Sequence, residues 1–141
     1  MVLQPRVVDC AEKRAVKHSR QLGKEFTLEL AMFSLLVASI VLLWRDNLIL
    51  SIVVLMECLL TLGFWHDKYD LAFFFIVVVL GAAAEIVFVQ FGVWQYANPS
   101  VFGVPFWFPL AFGTSGLTSE RLVRTITSAW DDVSFAHVSK E

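Results

Sequence analysis

The sequence predicts an all-α fold, a compact bundle of four transmembrane helices. Three observations predict it. The 141 residues are 57% hydrophobic with a mean hydropathy of +0.69, whereas soluble domains run at about 45–50% apolar. The apolar residues are gathered into blocks separated by short polar breaks. The blocks are long enough to cross, since about 17–25 helical residues span a hydrocarbon core of about 30 Å. A chain of this length forms one domain.

Residues 1–25 set Arg6, Lys13, Arg14, Lys17, Arg20 and Lys24 against Asp9, Glu12 and Glu25. This segment is too long and too charged to resemble a cleaved signal peptide. A weak apolar stripe of Val7, Val8, Ala11, Ala15 and Leu22 fits a cytoplasmic helix at the membrane surface, where basic residues meet anionic lipid. A loosely ordered tail fits equally well. The transmembrane domain is expected over 26–126. Its first span is 26–44, closed by the tight turn Arg45-Asp46-Asn47, and its second is 48–64. After a polar break from Trp65 to Asp70 comes a third at 71–94. Asn98-Pro99 then initiates a turn.

The fourth span, expected at 105–126, carries Gly113, Gly116, Pro105 and Pro109. Both prolines fall near its start, where a helix tolerates them with at most a kink. Thr114, Thr118, Arg121 and Thr125 share one face at helical spacing, and that face should turn inward. Four spans with a cytoplasmic N-terminus leave ten Lys/Arg inside and Arg45 alone outside, as the positive-inside rule requires. Both termini are then cytoplasmic, with 127–141 as a short tail. Trp44, Trp94, Tyr96 and Trp107 mark the outer interface, and Trp65 and Tyr69 the inner one.

Glu85 stands near the middle of the apolar run 71–94, and Glu57 near the middle of span two. A carboxylate at such a depth costs about 2.5–3.5 kcal/mol on insertion scales and by default marks a functional site. Consecutive helices on a short loop are expected to pack as antiparallel neighbours. Glu57 and Glu85 are therefore candidate catalytic residues, a shared-proton pair for acid–base work, proton relay or cation binding. The competing expectation is that each fixes helix packing through a hydrogen bond. Gly81, Glu85, Phe88 and Gly92 share a face that would admit another backbone, and Gln90 needs a partner of its own. Glu29, at the cytoplasmic end of span one, is expected to pair with Arg121 or Arg124. His18, His66 and His137 lack metal-ligand spacing, and Cys10 and Cys58 make an unlikely disulfide pair. His66 with Asp67 and Asp70 offers a metal site only against the more usual reading of a solvated loop; no phosphate loop, hydrolase elbow or nucleic-acid patch is present, and the cofactor is unknown.

The stretch Glu85–Gly113 joins Glu85, Gly92, Trp94, Tyr96, Pro99, Gly103, Pro105, Trp107, Pro109 and Gly113 in one pattern. It resembles the signature of small, largely uncharacterised prokaryotic integral membrane proteins: Glu, then G-x-W-x-Y, Pro, and G-x-P-x-W-x-P ending at Gly. That resemblance implies a membrane location and no particular activity. A weaker likeness runs to carotenoid hydratase-like membrane proteins, which are longer and carry nearby histidines. On the residues alone, Gly92, Trp94 and Tyr96 end one span, Pro99, Gly103 and Pro105 shape the outer loop, and Trp107 and Pro109 open the next. Such a loop suits a cap over a cavity leading to Glu85, or a rigid interfacial anchor.

The expected function is that of an accessory or assembly subunit packing against a larger membrane protein, in the lipid bilayer or as a homo-oligomer, without nucleic acid. The alternatives are a small membrane enzyme acting on a lipid or isoprenoid through Glu85 and Glu57, and a proton or cation carrier.

Overall fold

The computed structural model describes the backbone of residues 5–138 and the side chains of residues 17–131. It is all-helical: α1 Pro5–Leu43, α2 Asn47–Phe64, α3 Lys68–Gln90 and α4 Phe108–Val138. Three helical stretches, Lys17–Leu43, Asn47–Phe64 and Lys68–Gln90, are long and apolar enough to cross a membrane. The fourth helix forms, but it does not reach that apolarity. Broad apolar faces are left exposed, including Leu48, Ile52, Leu55 and Leu59 on α2 and Phe75, Ile76, Val79 and Leu80 on α3. Exposed apolar surface on this scale marks contact with membrane or protein.

α3 begins at Lys68 rather than at 71, and the boundaries differ from the sequence expectation at four further places. Residues 5–25 do not form a separate surface helix but run unbroken into the first span as α1. The second difference lies at the end of α3. It stops at Gln90, short of the apolar run's end at Trp94, because Gly92 adopts φ 71° and reverses the chain. The Gly92 N–H then donates to the Val89 carbonyl and the Val93 N–H to the Phe88 carbonyl, each at 3.0 Å, the paired bonds of a Schellman cap. α4 begins at Phe108 rather than Pro105, so Pro109 sits in the first turn, where its missing N–H costs nothing. The same helix continues past Ile126 to Val138, through most of the expected tail. The side chains of Cys10, Val133, Phe135 and His137 lie outside the described residues, as does the whole of Lys140.

Local chemistry explains the turns. Asp46 caps α2, accepting from the Leu48 and Ile49 N–H groups at 3.0 and 3.1 Å, two donors the helix start would otherwise leave orphaned. Between α3 and α4, Val101 and Val104 exchange backbone hydrogen bonds across Phe102 and Gly103, whose φ values are 50° and 84°. Two positive values define a type I′ hairpin turn. Gly103 also has no room for a side chain, since a Cβ there would lie 2.5 Å from Val89 Cγ1.

α4 is the central helix. It packs against α1, α2 and α3, while α2 and α3 share no substantial interface. The expected α2–α3 neighbour pair is thus replaced by α4 lying between them. The reason is close fit: Gly113 of α4 faces Val78 and Phe74, Gly116 faces Val77, and Gly81 of α3 faces Phe112. Small residues let these two backbones approach in the way that drives helix association in lipid. One core cluster joins Met32, Cys58, Trp65, Phe74 and Leu117; a second, nearer the 91–107 loop, joins Leu36, Leu50, Val54, Trp107 and Ala111. Thr114, Thr118 and Thr125 are buried against the neighbouring helices, as the expected inward face requires.

Candidate functional site

Glu85 is buried, and it does not lie at mid-helix. With α3 ending at Gln90, it is five residues from the helix end. The reversal at Gly92 folds the loop back along the helix. Trp94 Nε1 then donates to Glu85 Oε1 at 2.6 Å, and the Tyr96 hydroxyl donates to the same oxygen. The Trp94 ring also packs on Phe88 at 5.1 Å. Burial raises the Tyr96 phenol above its ordinary value of 10.0, and its bond to Glu85 and that carboxylate's charge raise it further. Tyr96 is therefore a donor throughout the neutral range.

The rest of the loop is fastened similarly. The Gln90 amide donates to the Phe102 carbonyl at 3.1 Å, giving this second polar group of α3 its partner. Asn98 Nδ2 donates to the Trp44 and Arg45 carbonyls at 3.1 and 3.3 Å, and the Asn98 carbonyl accepts from Asn47. Trp107 Nε1 donates to Asn47 Oδ1 at 3.2 Å. Trp107 is thus a buried strut rather than an interfacial anchor. Pro105 is buried beside it and Pro99 is exposed. Of the expected glycine-lined face, Gly81 and Glu85 are buried, but Phe88 is partly exposed against Trp94 and Gly92 serves as a helix cap.

Glu57 has a different environment. It accepts a hydrogen bond from the Ser39 hydroxyl of α1. Among the described residues its other oxygen is buried without a partner, as is Oε2 of Glu29. Glu57 and Glu85 sit on helices that α4 keeps apart, and each has its own donor. The structure does not bring them together as a pair.

The expected ion pair of Glu29 is also replaced. Glu29 accepts from the Thr125 hydroxyl at 2.8 Å. The arginines turn instead to α3, where Asp70 is fully buried at the first turn. Arg121 meets both Asp70 oxygens, through Nε at 3.0 Å and through a shorter Nη2 contact, and reaches Asp67 at 3.3 Å. Arg124 lies 3.6 Å from Asp70, pairs with Glu120, and stacks 4.2 Å over the Tyr69 ring. Asp70 and Glu29 are both buried, but only Asp70 is met by a charged, two-pronged partner. Sequence reasoning placed Asp70 in the polar break and missed its pairing with these arginines. Its signal was an acidic residue three positions after Asp67, the pattern of a helix start.

An apolar cavity of about 260 Å³ opens between α1 and α4, with Tyr96, Trp107 and Phe108 at one end and Phe33, Leu36 and Ala111 along its walls. Tyr96 is thereby shared between this cavity and Glu85. Among the described residues no cluster of three His, Cys, Asp or Glu side chains is placed to hold a metal ion. No family model matches the chain, and no curated protein and no solved structure matches it.

Proposed function

We propose that this chain is a small multi-pass membrane protein that serves as an accessory or assembly subunit of a larger membrane complex. One observation carries the reading: the buried carboxylates do not converge. Glu85 holds the loop, Glu57 binds α1, Glu29 binds α4, and Asp70 binds two arginines. Each costly group is used in a separate contact between elements, which suits a scaffold better than a reaction centre. The broad apolar faces of α2 and α3 offer surface for lipid and for a partner.

In this reading α4 is the fourth crossing. Its polar face is covered by α1, α2 and α3, so it does not need the apolarity of a lipid-facing helix. Both termini lie in the cytoplasm, by the excess of Lys and Arg on that side. The likeness of the Glu85–Gly113 stretch to small prokaryotic membrane proteins agrees with this assignment. Purification in mild detergent tests it. A particle holding one other membrane protein at fixed stoichiometry is expected; a monodisperse monomer, unchanged after cross-linking in intact membranes, contradicts it.

A second reading, an enzyme acting on a lipid or isoprenoid, has the apolar cavity beside Tyr96 in its favour. There Glu85 would act through Tyr96, without Glu57. A carrier built on adjacent glutamates has no such observation behind it.

A further inference from the structure

We infer that the face of α1 running from Lys17 to Ala31 binds the headgroup of an anionic phospholipid. The inference rests on the membrane reading above and goes beyond it. An open groove of about 570 Å³ is lined by Arg20, Gly23, Lys24, Thr27, Leu28 and Ala31. These positions, with Lys17 one turn earlier, follow the spacing of a single helix face. The face changes character along its length. Its first two turns carry three exposed cations, and its last two offer Leu28 and Ala31.

Among the described residues no ion pair engages Lys17, Arg20 or Lys24, whereas Arg121 and Arg124 are both held by carboxylates. Among the described residues, Glu25 is exposed and turned about 100° from Lys24 around the helix, and Glu29 is buried and bonded to Thr125. Thr27 spends its hydroxyl on the Gly23 carbonyl, which leaves the two long basic side chains as the polar rim. Lys24 lies two residues before Phe26, where the apolar run begins. The cations therefore stand at headgroup depth and the apolar floor at acyl depth. A negative phosphate with hydrocarbon attached matches both halves, and a soluble anion matches only the first. Gly23 has nothing within 4 Å of the position its Cβ would take, so space for the headgroup lies between the two cations.

Basic residues at a membrane surface each strengthen anionic-lipid binding about five-fold, so Arg20 and Lys24 together should contribute about thirty-fold. The test is native mass spectrometry of the protein released from bilayer nanodiscs of phosphatidylglycerol mixed with phosphatidylcholine. Wild type is expected to retain one phosphatidylglycerol in preference to phosphatidylcholine. Arg20→Gln/Lys24→Gln should lose that retention by about thirty-fold, Arg20→Lys should keep it, and Arg45→Gln at the opposite end should leave it unchanged. Glycerol phosphate without acyl chains should not compete. Equal retention by the double variant, equal loss with Arg45→Gln, or competition by glycerol phosphate overturns the site. Failure of the wild type to enter bilayers overturns the membrane reading itself and the site with it.

Discussion

The two ends of the bundle are closed by different chemistry. At the loop end, Glu85 and the Asn47–Asn98 pair take hydrogen bonds from indole, phenol and amide groups. At the other end, Asp70 takes two guanidinium groups. The difference follows from what each end must hold. The loop end must fold seventeen residues of irregular chain, 91–107, over the helices, and many directional neutral bonds fix such a segment. The opposite end must lock α3 to α4 at one point, and a two-pronged ion pair supplies more energy per contact. Buried ion pairs fail badly when one partner is removed, whereas neutral networks lose their members one at a time.

That contrast orders the expected effects. Arg121→Ala leaves Asp70 buried without its main partner and should cost about 3–5 kcal/mol, read as thermal unfolding in detergent. Adding Asp70→Asn should recover most of the loss; no recovery would mean that Arg121 acts elsewhere. A step smaller, Gly113→Val pushes a side chain into Phe74 and Val78 and should destabilise by about 1–3 kcal/mol. Gly63→Ala, with open space around it, should be neutral or stabilising by about 0.5–1 kcal/mol. Equal losses at both would remove the close α3–α4 approach from the account. Tyr96→Phe removes one loop bond and should cost about 1 kcal/mol, seen as faster amide exchange over 91–107 with the helices unaffected.

The smallest effect is the pH response. The folded-state value of Tyr96 lies above its ordinary 10.0. Its contribution is therefore complete below about pH 10 and declines as pH rises beyond, where the unfolded chain loses the proton first. Tyr69 and Tyr96 are the two tyrosines, so phenolate absorbance in a Tyr69→Phe background reports Tyr96 alone. Titration at or below 10 would contradict the latch.

Much of the architecture was legible from hydropathy. The α2 boundaries and the inward threonines of α4 followed from block length and helical spacing. The position of Glu85 was not, because the apolar run continues four residues past the helix end, and hydropathy does not register the reversal that Gly92 makes. The same blindness assigned Arg121 to Glu29: several acidic residues reach that end of the bundle, and spacing along one chain does not say which is buried. The order of helices around the bundle was also hidden, since adjacency in sequence favoured α2 beside α3 while the glycines of α4 drew it between them. Within the pattern from Glu85 to Gly113, Trp94, Tyr96, Gly103 and Trp107 of the 91–107 loop each meet a named contact.

The central claim is that Glu85 is a latch for the loop. A double-mutant cycle of Glu85→Gln and Tyr96→Phe, read by loop-specific hydrogen exchange, tests it most directly. The account predicts a coupling of about 0.5–3 kcal/mol, with exchange rising in 91–107 in each single variant. Additive effects, or exchange unchanged in the loop, would contradict it.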